Sequence, residues 1–381
     1  MSEKIPSAEM PKQRFVGVDI VKIIGTIFIC GVHFFLYSGF YQEPINEPSE
    51  MVPIFLRWLF YNCVPMFMIT TGYLMKNKIL SKEYYFGLVK IVVIYIIMSI
   101  ACAVFDYQHF DKEFTPWSFI RGMFMFTNAP YSWYVEYYIC IFLLIPFINL
   151  AFNGLKTRKQ RLFLVVISLV LTTAARSVFI GYDPETQIQV IPDFFSSAYP
   201  VAYYLAGAYI REYPPARTLN NKFTCILGLL FVLGWNTVMT YYHSVRNTEN
   251  NNAFASWHYN DYGTWPVFLA SLCIFLLLFD ITAKNRVLCR ILKTLSDATL
   301  GCFLVSYIFD NSWYLDFVYA YPDMKERCSH GYQIVGKVYL YSIICGMVVH
   351  GIYNLCHKGI SKLYRDYKQN APVTTENKKA E

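Results

Sequence analysis

Ten stretches of this chain are apolar for roughly the twenty residues a helix needs to cross hydrocarbon, and nothing else in the sequence limits its fold so strongly. They run over 15–37, 52–75, 84–105, 131–152, 161–180, 194–211, 222–243, 262–283, 294–314 and 331–355. Lipid offers a backbone no hydrogen bonds, so each stretch must satisfy its own N–H and C=O groups as a helix. Composition agrees, because 55% hydrophobic residues and 15% charged ones leave too little charge to cover a soluble surface. The expected fold class is an all-α polytopic membrane protein, a bundle of about ten transmembrane helices.

The net charge of +7 would suggest nucleic acid in a soluble chain. Here the basic residues lie in short clusters between the apolar runs, where they act as topological anchors, so no nucleic-acid partner is expected. Sorted into alternate inter-span segments, 23 Lys and Arg fall in one set and 5 in the other. The richer set contains both ends of the chain, which places both termini in the cytoplasm.

The divisions that follow are a cytoplasmic segment at 1–14, a transmembrane domain at 15–355 and a basic cytoplasmic tail at 356–381, expected to be disordered. The first 14 residues are polar and lead into span 1 without an A-x-A-like cleavage site, which reads as a retained anchor. No segment between spans exceeds about 30 residues, too short for a soluble catalytic domain. Chemistry must therefore belong to the bundle and its loops. The eleven cysteines form no CxxC pair and no zinc-type cluster with histidine, so neither a disulfide framework nor a metal is expected.

Span 1 contains "DIVKIIGTIFICGVH", in which Asp19, Lys22 and His33 interrupt an otherwise apolar helix. Asp19 and Lys22 are three residues apart and share a face. Lys22 and His33 are eleven apart, three turns plus roughly 20°, with about 16 Å of rise between them. The plainer reading has Asp19 and Lys22 pairing at the interface while His33 bonds a neighbouring carbonyl. The functional reading is a polar conduit, with a cation low in the stripe for an anionic donor and a histidine higher up as a base. Glu136, Trp133 and Tyr134 lie at the outer end of span 4 and Arg176 at that of span 5, where they could anchor the interface or surround an acceptor. Arg57 admits the same two roles. Asp280 and Asp297 lie near cytoplasmic ends, and "SD" before an apolar run reads as a helix N-cap at Asp297.

The segment "RFVGVDIVKIIGTIFICGVHFF" resembles the first helix of the membrane acyltransferase 3 family, in which Arg or Lys precedes His by eleven residues. Further matches follow in order: "VPMFMITTGYLM" at 64–75, "SWYVEYYICIFLLIPFI" at 132–148, "AYYLAGAYI" at 202–210 and "LSDATLGCFLVSYI" at 295–308. The resemblance implies transfer of an acyl group, most often acetyl, from cytoplasmic acyl-CoA to a hydroxyl of an extracytoplasmic or lipid-linked saccharide. It makes His33 the catalytic histidine and Lys22, with Asp19 beside it, the donor-binding cation. Trp133, Tyr134, Glu136, Arg176 and Arg57 are left as candidates for the acceptor. Acyl-CoA enters as co-substrate with no permanently bound cofactor, membrane lipid is the other expected partner, and the location is the cell (inner or plasma) membrane. Two departures stand out: Thr71 replaces the family's usual Ser before Gly72, and Ser306 occupies a position where many members carry His.

A polysaccharide or lipid-linked glycan exporter would also present a ten-span bundle with one charged helix. Against it, no inverted repeat is visible in the sequence. A glycan polymerase would be expected to carry one large outer loop, and the outward loops here are short.

Overall fold

The computed structural model describes residues 15–110, 112–113, 115–174, 190–256 and 261–370. Among them the chain is all-helical, with no strand. Twelve α-helices are described: α1 (Val16–Tyr37), α2 (Met51–Phe60), α3 (Cys63–Met75), α4 (Lys82–His109), α5 (Pro116–Phe124), α6 (Trp133–Gly154), α7 (Arg158–Leu169), α8 (Tyr199–Glu212), α9 (Leu219–Val245), α10 (Trp265–Leu278), α11 (Arg286–Ala320) and α12 (Met324–Asn370).

Seven helical segments among the described residues are long and apolar enough to cross a membrane: Val16–Tyr37, Pro48–Met75, Lys82–His109, Pro130–Gly154, Asn221–Val245, Arg286–Ala320 and Met324–Gly359. Of the other three expected spans, those at 194–211 and 262–283 correspond to α8 and α10, which are shorter, and that at 161–180 begins in α7 and runs on beyond Ala174 outside the described residues. α8 and α10 have 14 residues each, about 21 Å of helix, against roughly 30 Å of hydrocarbon. Both begin with Pro in their first turn, and α8 ends at Arg211 and Glu212. The expected span at 52–75 is two helices broken at Tyr61 and Asn62. Pro65 lacks the N–H that would bond the Tyr61 carbonyl, and at the same break the Asn62 side chain donates to the carbonyls of Trp58 and Leu59 at 2.8 and 3.1 Å. At the other end, α12 continues as helix to Asn370, into the tail expected to be disordered.

Local signals start several helices. Ser81 caps α4 by accepting from the Tyr84 N–H, Thr157 and Gln160 form a capping box on α7, and Asn285 caps α11 through Val287 and Leu288. The last of these overturns the N-cap reading of Asp297, because α11 begins eleven residues earlier and Ser296 and Asp297 lie within it. Asp280 follows the end of α10 and pairs with Lys222 at 2.6 Å.

Packing follows small residues. A Cβ placed on Gly72 of α3 would lie 1.9 Å from the Tyr204 carbonyl oxygen, and one on Gly207 of α8 would lie 2.0 Å from that of Ile69. The two backbones thus touch directly, as small residues allow in helix pairs within lipid. α1 runs parallel to α11, since Lys22 meets Ser296 and His33 meets Asp310 farther along both helices. Gly301 and Gly346 make a second close contact, between α11 and α12. Around this interior α4 exposes Phe86, Val89, Ile96, Ile100 and Val104, and α9 exposes Phe223, Leu227, Leu230 and Phe231. An apolar outer surface is what lipid requires of a membrane bundle.

Candidate active site

The α1 stripe faces a matching stripe on α11. Ser296 and Asp310 are fourteen residues apart, close to four full turns, so they lie on one face. At one level the Lys22 Nζ donates to the Ser296 carbonyl at 2.9 Å and to its Oγ at 3.0 Å. Eleven residues farther along α1, the His33 Nδ1 lies 2.8 Å from Asp310 Oδ2. That oxygen also accepts from the Tyr131 hydroxyl at 2.7 Å. Tyr131 has one proton to give, so Tyr37, whose hydroxyl is 2.9 Å away, is the donor in their mutual contact. Tyr131 also lies against the imidazole, ring centroids 4.1 Å apart.

Asp310 is fully buried, and its Oδ1 has no hydrogen-bond partner among the described residues. A carboxylate can only accept, so the proton of the His33 contact sits on Nδ1, and the lone pair is on Nε2. Among the described residues Nε2 has no hydrogen-bond partner, and 11% of the His33 side chain is accessible. A histidine oriented by a carboxylate with its other nitrogen unengaged is the arrangement a general base requires.

Below the imidazole lies a cleft of about 340 Å³. Lys22, Lys90, Ser296 and Asp297 form its polar end, while Phe67, Ile91, Tyr138 and Phe142 are among its apolar walls. Its upper wall includes Ile29, Tyr134 and Phe303. His33 is not among the lining residues; Ile29 is one helical turn beneath it. Phe303 lies parallel to Tyr131, centroids 6.1 Å apart, so a short series of rings leads from the cleft to the imidazole.

The other candidates separate. Asp19 is buried on α1. Tyr134 lines the cleft, packed edge-on against Phe303. Trp133 is exposed and stacks on Tyr262 at 6.0 Å, and Tyr262 stacks on Tyr61 at 4.5 Å. Arg57 caps this column with its guanidinium 4.2 Å from the Tyr61 ring. It is 2% exposed, packed among aromatic rings and away from the outer surface. Glu136 is exposed on α6. Arg176 lies outside the described residues. Ser306, in place of the family's second histidine, is buried and donates to the Phe303 carbonyl at 2.8 Å.

Asp310 and Tyr131 were not anticipated from the sequence. Asp310 carried a usable signal: it is an acid inside an apolar run, the same feature that marks span 1.

The acyltransferase 3 model, described as an acyltransferase domain, matches residues 15–351. The chain belongs to the acyltransferase 3 family. It is therefore a multi-pass membrane protein of an acyl-transferring family, and the five motifs read from the sequence all lie within the matched region. No curated protein and no solved structure gives a significant match.

Proposed function

We propose that this member of the family transfers a small acyl group, acetyl foremost, from cytoplasmic acyl-CoA to a hydroxyl of an extracytoplasmic or lipid-linked saccharide, in the inner or plasma membrane. The observation that carries the reading is the His33–Asp310 pair, held at 2.8 Å in the bundle interior above a cleft with a lysine at its polar end. Acyl-CoA enters from the face bearing Lys22, its anionic part at the polar end and its thioester directed towards Phe303 and Tyr131. The acceptor hydroxyl meets the thioester beside His33.

Nε2 of the neutral imidazole takes the hydroxyl proton as the oxygen attacks the thioester carbonyl. The C–O bond forms, the C–S bond breaks, and the imidazolium returns its proton to the departing thiolate. Asp310 stabilises the transient imidazolium and keeps Nδ1 protonated throughout. The apolar cleft walls exclude water, which would otherwise hydrolyse the thioester. The exposed Trp133, continuing the stack of Tyr61 and Tyr262, offers a flat aromatic face of the kind a sugar ring packs against.

The test supplies acetyl-CoA labelled in its acetyl group to the cytoplasmic face of membrane vesicles. Label is expected in an extracytoplasmic glycan, and His33→Ala should abolish its appearance at unchanged protein level. Undiminished labelling in His33→Ala would remove the base from this mechanism. Loss of export of unmodified polymer, with no labelling in the wild type, would establish an exporter instead. Mass analysis of the glycan from a deletion strain identifies the acyl group by the increment that disappears.

A further inference from the structure

We infer that Lys90 is a second cationic ligand for the donor, binding a phosphate of acyl-CoA at the polar end of the cleft opposite Lys22; this rests on the donor reading above. Lys90 lies within "FGLVKIVVIYII", where an ammonium is costly unless it faces water or a counter-charge. It is the ninth residue of α4, about 12 Å from that helix's start, close to the depth of Lys22 in α1. Snorkelling along the lipid face would satisfy such a residue. Lys90 instead lines the cleft together with Lys22, Ser296 and Asp297.

No described residue accepts a hydrogen bond or ion pair from Lys90. Asp297, the carboxylate lining the same cleft, is already approached by the Lys293 ammonium and by His350 Nε2, each at 4.0 Å. His350 itself lies within electrostatic reach of Lys90, Lys293 and Lys22. Lys22, Lys90 and Lys293 therefore stand against two acids, Asp297 and, one turn from Lys22, Asp19, leaving an excess of positive charge at the end of an otherwise apolar cleft. That is an anion site.

A second feature selects among anions. Thr70 lines the cleft and is 3% exposed, and its Oγ1 has no hydrogen-bond partner among the described residues. A buried hydroxyl left unpaired is costly, and an amide of a bound ligand would satisfy it. A ligand with phosphate at one end and amides along a flexible arm is a phosphopantetheine-bearing thioester. Inorganic phosphate would engage Lys90 and Lys22 but not Thr70.

Calorimetric titration of the purified full-length protein with CoA, and separately with pantetheine, tests the assignment. Lys90→Gln is expected to weaken CoA binding by about tenfold to a hundredfold, the worth of one charge-assisted hydrogen bond, while leaving pantetheine binding unchanged. Lys90→Arg should restore CoA binding, and Thr70→Val should weaken both probes. CoA binding that is indifferent to Lys90→Gln, or an equal loss for both probes, overturns the role of Lys90 while leaving the acyl-transfer reading intact. Failure of the wild type to bind CoA overturns both. An independent measurement needs no variant: CoA, and not pantetheine, should protect Lys90 from an amine-acylating reagent, and labelling that CoA leaves unchanged counts against the site.

Discussion

At the level of single residues, Asp310 is a costly group to bury in the bundle interior. One oxygen takes two hydrogen bonds and the other takes none among the described residues. Replacing such a carboxylate by an amide of the same shape removes a desolvation cost of several kcal/mol, so its retention argues for a task other than stability. Asp310→Asn should therefore keep or slightly raise thermal stability, yet lower acyl transfer by roughly 10²-fold or more, because an amide can donate to Nδ1 and turn the proton to Nε2. The apparent affinity for acyl-CoA should not change, since Lys22 and its cleft are untouched. Wild-type turnover in this variant would separate the His33 contact from catalysis. Tyr131→Phe removes one of the two donors to the same oxygen and should destabilise the protein by about 1–3 kcal/mol in thermal unfolding, with a smaller loss of turnover than Asp310→Asn. His33 and Lys22 were legible because both interrupt one apolar run and their spacing on a single helix can be computed. Asp310 also interrupts an apolar run, but its pairing with His33 was not legible, because the two lie 277 residues apart and helical spacing relates only residues of the same helix.

At the level of helices, two segments that looked like separate family motifs are two sides of one contact. "TTGYLM" carries Gly72 and "YLAGAYI" carries Gly207, and each glycine admits the carbonyl of the other helix. Gly207→Ala should lower stability by about 1–3 kcal/mol through overpacking, and Gly72→Ala likewise. Because both disrupt the same α3–α8 contact, the double variant should lose less than the two singles together. Thermal unfolding of all three in one detergent decides it, and independent, fully additive losses would show that the helices do not meet there. Beyond these glycines, Glu212 of α8 pairs with Lys76 at the end of α3 and, at 2.8 Å, with Arg161 of α7. Burial and the nearby Arg161 and Arg211 guanidiniums hold the Lys76 ammonium below its ordinary range, so the carboxylate offsets an existing repulsion. Glu212→Gln should destabilise by about 1–3 kcal/mol, discounted for the carboxylate's partial exposure. Helix boundaries were legible wherever caps and apolar length agreed. The break at Tyr61 and Asn62 was hidden because the residues from Met51 to Ile69 are apolar apart from Arg57, Tyr61 and Asn62, so hydropathy reads one continuous run.

Across the whole molecule, the polar contacts at the ends of the segments, outside the interior cluster of Lys22, His33, Asp310 and Tyr131, include two groups on opposite faces. Lys76, Arg161 and Glu212 meet at one, where Lys222 also meets Asp280; Lys325 meets Glu47, Asn252 meets Asn46, and Arg327 reaches the Ser38 carbonyl at the other. Each group draws only on segments that the alternating reading of ten spans places on one side. Hydropathy made that alternation legible, while among the described residues seven helical segments are long and apolar enough to cross, and α8 and α10 are too short to span roughly 30 Å of hydrocarbon alone. A short helix in the bundle interior needs only protein neighbours: Tyr203 and Tyr204 of α8 are fully buried. The 23 to 5 division of Lys and Arg predicts that the face bearing Lys76, Arg161 and Lys222 is the cytoplasmic one. Alkaline phosphatase, active only outside the cytoplasm, should therefore be active when fused after Asn252 or Tyr321 and inactive after Arg217 or Lys284. A fluorescent protein that folds only in the cytoplasm should fluoresce at the C-terminus. The reverse pattern would put Lys22 and Lys90 on the side where no acyl-CoA is available, and the donor route would have to be abandoned. A mixed pattern, with activity after both Arg217 and Asn252, would show that the helix between them does not cross, and would reassign α9 from a spanning helix to one lying within a single face.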